Sequence, residues 1–72
     1  MPRKRLLISV APMAELMKRA GAERVSDEAA LALSETLMDI GMEIAKDAIK
    51  FAHHAGRKTI KRSDIELAKK NI

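Results

Sequence analysis

The chain has 72 residues with no cysteine and a single aromatic residue, and 14 lysines and arginines against 10 aspartates and glutamates give it a net charge of +4. A chain of this length forms at most one domain of marginal stability, and the lack of cysteine excludes a disulfide framework or a thiolate metal site. The positive charge favours polyanions such as nucleic acids or acidic membranes, whereas the near absence of aromatic rings disfavours proteins that stack single-stranded bases.

The first predicted element is a short helix that follows a basic tail. Residues 1–8 are expected to form the tail, and residues 9–72 the single folded domain. The helix is predicted to start near Ser9–Pro12, because proline is tolerated in a first helical turn, and to stop at Gly21. The tail contributes three positive charges, which are Arg3, Lys4 and Arg5.

A long second helix is predicted from the N-cap Ser26 to about residue 54, with Gly56 as its stop. About 28 residues of helix are roughly 42 Å long, whereas a compact chain of this length has a diameter of only about 29 Å. Its apolar residues cover two adjoining faces, and short flanking helices cannot bury both. We therefore expect a second copy, crossed over the first, with a shared core of Leu33, Leu37, Ile40, Ile44 and Phe51.

Two short extended segments are predicted on either side of the long helix, at 24–25 and 57–61. A third helix then runs from about 61–63 to 70, with Ile65, Leu67 and Ala68 turned inward. The chain therefore reads as helix–strand–helix twice, with the long helix shared by both halves.

Positive charge is concentrated in residues 57–62, which we call the basic segment. It contains four cations and no acid, and these cations are Arg57, Lys58, Lys61 and Arg62. Residues 23–47 hold seven acids and two bases by contrast. This segregation favours a directed site for a polyanion, although a merely solvated loop would have the same composition.

The stretches "AGAERVSDEA" (20–29) and "HAGRKTIKRSDIELA" (54–68) resemble an archaeal-type histone, and the resemblance extends over about residues 9–70. Small histones of related type also occur in some bacteria. The resemblance implies an all-α histone fold of short, long and short helix that assembles as an intertwined head-to-tail homodimer. The first loop of one protomer would then lie beside the second loop of its partner and face duplex DNA.

The resemblance also implies roles for individual residues. Arg24 resembles an arginine that enters the minor groove, where base identity hardly matters, although a surface ion pair with Glu23 or Asp27 is the alternative. Arg57 resembles the residue that pairs with Asp64 and holds the loop to the last helix. The expected phosphate contacts are Lys58 and Thr59. Arg57 is also expected at the DNA-binding site, and Lys61, Arg62 and the tail cations are expected as additional ligands.

A second interface is implied between two dimers, where Phe51, His54, Asp64 and Leu67 match the contact positions of the family. His54 would pair with Asp64 of the neighbouring dimer, so assembly would respond to pH in the range where histidine titrates. The alternative is that His54 only caps the long helix. A metal site at His53 and His54 is disfavoured, because adjacent helical positions point about 100° apart.

Some residues depart from the usual pattern of the family at positions that are often basic or polar in relatives, which weakens the positive charge along the body of the dimer. They are Glu15, Ala30, Glu35, Met42 and His53. These departures weaken the expectation of tight, continuous wrapping. The small residue Gly21 is retained, and in the family it permits neighbouring dimers to stack.

The leading hypothesis is a sequence-tolerant architectural protein that binds double-stranded DNA and is associated with the nucleoid in the cytoplasm. The alternative is a heterodimerising histone-fold component of a transcription or repair complex. An enzyme is not expected, because no nucleophile–base pair or glycine-rich phosphate loop is present. No cofactor, metal, membrane or small-molecule substrate is expected either.

Overall fold

The computed structural model describes residues 6–70, so the tail cations Arg3, Lys4 and Arg5 lie outside the described range. Three helices form in this range: α1 (Val10–Arg19), α2 (Asp27–His54) and α3 (Arg62–Lys69). The predicted all-α order of short, long and short helix is therefore confirmed. No helix within residues 6–70 combines the length and the hydrophobicity that a bilayer span requires.

Helices α1 and α2 end in the same way, with a glycine in the left-handed conformation. Gly21 has φ 119° and Gly56 has φ 73°. After each glycine the next backbone N–H returns to the helix: Ala22 N donates to Met17 O at 3.0 Å, and Arg57 N donates to Ala52 O at 2.9 Å. These bonds satisfy carbonyls that a helix end otherwise leaves unpaired, so both glycines act as the predicted stops.

The start of α2 is fixed by Ser26. Its Oγ accepts a hydrogen bond from Ala29 N at 3.1 Å, and Asp27 and Glu28 follow in the first turn, where carboxylates favour the positive end of the helix dipole. The sequence therefore specifies both ends of the longest element through local chemistry alone.

The two predicted strands are absent from residues 6–70, in which the structure has only helices, turns and loops. Segments this short form strands only against a hydrogen-bonded neighbour. The backbone N–H groups of Gly21 and Gly56 instead donate to the preceding helices, at Lys18 O and His53 O. The helix–strand–helix reading is therefore wrong for the chain by itself.

The chain forms two compact units that divide α2 between Asp39 and Ile40. The first unit contains α1 and buries Met13, Ala30 and Ser34. The Ser34 hydroxyl donates to Ile8 O, which ties part of the predicted tail to α2. The second unit contains α3.

The second unit has a core of small residues. Its buried apolar residues are Ala48, Ala52 and Ala68. The predicted inward residues Ile65 and Leu67 are 39% and 48% exposed, so this part of the prediction is wrong for the single chain. Three alanines bury little area, and the larger apolar side chains described in this unit stay in contact with solvent.

The residues predicted for the dimer core are not buried within the chain. Ile40 is 38% exposed, and the others are half-buried, namely Leu33, Leu37, Ile44 and Phe51. Across residues 6–70 the buried apolar side chains are one methionine and four alanines. The large aliphatic groups that normally supply most of the hydrophobic stabilisation therefore lack cover.

Candidate nucleic-acid interface

The basic segment begins at the end of α2, and its first residue is fixed by a buried acid. Arg57 Nη1 donates to Asp64 Oδ2 at 2.9 Å, and Nη2 donates to Asp64 Oδ1 at 3.0 Å. Asp64 lies in α3 and is only 2% exposed. The structure thus brings together the two residues that the resemblance pairs, in the bidentate geometry that favours arginine.

Further hydrogen bonds fix the loop between these two residues. Arg57 Nη1 also donates to Thr59 O at 2.9 Å. Asp64 Oδ2 accepts from Lys61 N at 2.8 Å, so the carboxylate caps the start of α3. The turn from Arg57 to Asp64 is therefore held by the ion pair itself and by two hydrogen bonds to its backbone, at Thr59 O and Lys61 N.

The charges of this pair stabilise each other. The Arg57 hydrogen bonds, and next the Lys61 backbone N–H, lower the pKa of Asp64 from 3.8 to about 2. The same bonds raise the pKa of Arg57 above its ordinary value. Both side chains stay charged at neutral pH, and Arg57 is largely committed to the loop.

Lys58, Thr59 and Lys61 are exposed on this fixed turn. Within the described part of the chain, neither lysine forms an ion pair. Two ammonium groups and a hydroxyl on a rigid loop can contact the oxygens of a phosphodiester backbone.

Arg62, the fourth cation, is already paired. Its Nε donates to Glu66 Oε1 at 2.7 Å, across one turn of α3. The prediction that Arg62 contacts phosphate leaves out this partner, although a spacing of four residues on a helix is the signal for such a pair. Glu15 and Arg19 form a similar pair on α1 at 3.2 Å.

Arg24 lies in the first unit, in the loop between α1 and α2. It is exposed and borders a shallow depression of about 470 Å³ together with Lys18, Glu23, Val25 and Ser26. Within residues 6–70, Arg24 pairs with neither Glu23 nor Asp27. The surface ion pair that was the alternative role for Arg24 is therefore not formed, and its guanidinium group is accessible.

The residues predicted to join two dimers lie in the second unit. His54 is the last residue of α2 and is exposed, and it borders a depression with Lys50 and His53. Phe51 is half-buried, and Leu67 is 48% exposed. No group of three or more metal-binding side chains gathers among residues 6–70.

Comparisons with known proteins identify the family of this chain. The family described as "Histone-like transcription factor (CBF/NF-Y) and archaeal histone" matches residues 7–68. One of the subunits of archaeal histone HAN1 from Thermococcus zilligii is 51% identical over 63 residues, which are 88% of this chain and 94% of the relative. "Probable archaeal histone 3" of Methanocaldococcus jannaschii is 43% identical over 61 residues, which are 85% and 91% of the two chains. The protein therefore belongs to the family of histone-like transcription factors and archaeal histones.

Proposed function

We propose that this protein is a DNA-binding architectural protein that binds duplex DNA with little sequence preference and is associated with the chromosome in the cytoplasm. The observation that carries the proposal is the pair of Arg57 and Asp64, which presents Lys58 and Thr59 on a turn that is already fixed. Family membership supports DNA binding and self-association, and it argues against an enzyme.

The chemistry of the exposed groups favours recognition of the DNA backbone. Lysine and threonine contacts to phosphate fix the register of a protein on a duplex but carry no sequence information. An arginine inserted in the minor groove responds to groove width and negative potential more than to base identity. Lys58, Thr59 and Arg24 therefore suit a protein that binds many sequences alike.

The active form in this proposal is a homodimer with the two copies head to tail. The half-buried and exposed apolar groups of α2 then become the core between copies, centred on the five predicted residues Leu33, Leu37, Ile40, Ile44 and Phe51. A basic segment and an Arg24 from different copies would lie side by side. The proposal extends to pairs of dimers joined through Phe51, His54, Asp64 and Leu67.

A related chain could occupy the same apolar face. One relative is named as one of the subunits of a histone, and the family description includes transcription factors. The second candidate function is therefore that of a heterodimerising histone-fold protein. A purified chain that folds only after another histone-fold protein is added would support that candidate over the homodimer.

The test of the proposed function is the salt dependence of binding to two duplexes of unrelated sequence, followed by fluorescence anisotropy. The logarithm of affinity should fall with the logarithm of salt by about 0.9 for each phosphate neutralised. Arg24→Ala and Lys58→Ala should each weaken both duplexes about equally. Lys46→Ala is the control, because it removes an exposed cation that pairs with Glu43 on α2.

Two results of these binding measurements would contradict the proposed function. A slope near zero would exclude backbone neutralisation as the source of affinity. A loss that Arg24→Ala causes on only one of the two duplexes would mean that the protein reads sequence.

A further inference from the structure

The cations of the basic segment are not equally available to a ligand. Arg57 and Arg62 each pair with a carboxylate, whereas Lys58 and Lys61 pair with none among the described residues. The first carboxylate is the buried Asp64. The second, Glu66, lies on the surface of α3, and nothing in the proposed function gives it a role.

The two arginine pairs differ in whether a phosphate could replace the acid. Asp64 is 2% exposed and accepts three hydrogen bonds, so its pair is fixed within the fold. In the other pair the Arg62 side chain is 92% exposed and the Glu66 side chain 49% exposed. Exposed pairs of this type contribute little to stability, so a phosphate can compete with Glu66 for Arg62.

The geometry of the Arg62 pair leaves the guanidinium partly free. Only Nε bonds to Glu66, and within residues 6–70 the two terminal nitrogens of Arg62 donate no hydrogen bond. A phosphate that approaches these nitrogens meets the Glu66 carboxylate on the same cation. Two anions then share one positive charge and repel each other, which weakens the phosphate contact.

We propose that the ion pair with Glu66 prevents Arg62 from binding the DNA backbone. Glu66 thereby lowers both the affinity of the basic segment for DNA and the salt dependence of its binding. This inference rests on the proposed function, since it assumes that the segment binds phosphodiesters. The segment then binds phosphate mainly through its two lysines. Arg62 becomes a phosphate ligand only when the carboxylate of Glu66 is neutralised or displaced.

Glu66→Gln tests the inference, because it removes the charge and keeps the size of the side chain. We expect about two- to fivefold tighter binding to duplex DNA at constant salt. The log–log salt slope should steepen by about 0.9 for each Arg62 recruited. Glu43→Gln is the matched control: it removes the carboxylate of an exposed pair with Lys46 on α2 and should give no comparable gain.

A double-variant cycle separates a specific effect from a general change of charge. In an Arg62→Ala background, Glu66→Gln should no longer tighten binding, because the cation that it releases is gone. A gain that persists in this background overturns the inference. It is also overturned if Arg62→Ala alone weakens binding as much as Lys58→Ala.

Failure of the inference is distinct from failure of the proposed function. A wild-type protein that does not bind duplex DNA at low salt removes the function itself. A wild-type protein that binds, with Glu66→Gln unchanged in affinity and slope, removes only the role of Glu66.

Discussion

Asp64 accepts three hydrogen bonds in a nearly buried position, and all three come from the segment that it anchors. Such a carboxylate is costly to protonate, because the neutral acid loses the charge that Arg57 compensates. This explains why its pKa falls to about 2, with the Arg57 hydrogen bonds as the main cause. The geometry of the loop between α2 and α3 therefore depends on one ionised group, the Asp64 carboxylate.

The stability of the protein should therefore depend on Asp64 in a pH-specific way. The folded pKa of about 2 lies below the ordinary 3.8, so the contribution is complete above about pH 4 and is lost as the pH falls from 3.8 towards 2. Asp64→Asn should lower the free energy of unfolding at pH 7, and the gap from wild type should narrow towards pH 2. Urea titrations at fixed protein concentration measure this gap.

A control for this prediction is Glu66→Gln, which removes an exposed acid from the same helix and should change stability little. If the gap between wild type and Asp64→Asn stays constant from pH 7 to pH 2, the charge of Asp64 is not what stabilises the loop.

Single residues also show how far the site could be read from sequence. The pairing of Arg57 with Asp64 came from the resemblance, and their spacing alone would not have identified it. The pair of Arg62 and Glu66 was visible as a four-residue spacing. Its importance depends on exposure and on which nitrogen is engaged, and the pattern of letters contains neither.

The helix boundaries were predictable because local chemistry specifies them. Glycines at 21 and 56 adopt positive φ, and Ser26 accepts a bond from the first turn of α2. The strands predicted at 24–25 and 57–61 are absent from the single chain. A strand depends on a neighbour that lies elsewhere in the fold or in another chain, so local sequence does not determine it. The prediction therefore succeeds where the determinant is local.

Helix α2 also presents a line of small residues. Ala30, Ser34, Ala48 and Ala52 are all buried, and the helical period places Gly41 on the same line, midway between the two pairs. A Cβ added at Gly41 would meet nothing within 4 Å in the single chain. In the proposed dimer this is where two crossed helices could approach most closely.

Gly41→Ala gives a test that depends on the sign of the effect. On an open helix, alanine would stabilise by about 1 kcal/mol. At a close crossing the added methyl group overpacks the interface, and we expect a loss of about 1–3 kcal/mol instead. Chemical denaturation of the assembled protein measures the difference in unfolding free energy between the wild type and Gly41→Ala.

The exposed position Ala32 supplies the calibration for that test. Ala32→Gly should cost about 1 kcal/mol from helix propensity alone. If Gly41→Ala raises the free energy of unfolding by as much as Ala32→Gly lowers it, only helix propensity is acting. That result would show that no helix crosses at Gly41.

For the whole molecule, the main fact is that a chain with 47% hydrophobic residues buries only one methionine and four alanines among residues 6–70. The length of α2 in the sequence already predicts this shortage of cover. The fold class followed correctly from the sequence. The proposed cover of α2 by a second copy does not follow from a single chain, because burial between copies is a property of the assembly.

The assembly prediction is measured by sedimentation equilibrium. We expect the wild type to pass from dimer to tetramer as concentration rises. His54→Ala should remain a dimer, because it would lose the proposed pair between His54 and Asp64 of the neighbouring dimer. Oδ1 of Asp64 accepts a single bond from Arg57 and so retains a lone pair for an imidazole. The matched control is His53→Ala. The side chain of His53 points about 100° away from that of His54, so this substitution should leave tetramers intact.

Two results would contradict this view of the assembly. Unchanged tetramer formation by His54→Ala would remove the proposed seam. A well-folded wild-type monomer in dilute solution would remove the need for a second copy altogether.

The closed turn from Arg57 to Asp64, which contains the basic segment, has a kinetic consequence. Because Arg57 and Asp64 fix the turn in the folded chain, its backbone has already lost conformational freedom before any ligand arrives. A preorganised surface has little further entropy to lose on contact, and it needs no rearrangement that would slow productive encounters. Association should therefore be governed by diffusion and long-range attraction, and differences in affinity between duplexes should arise mainly from how fast each one departs.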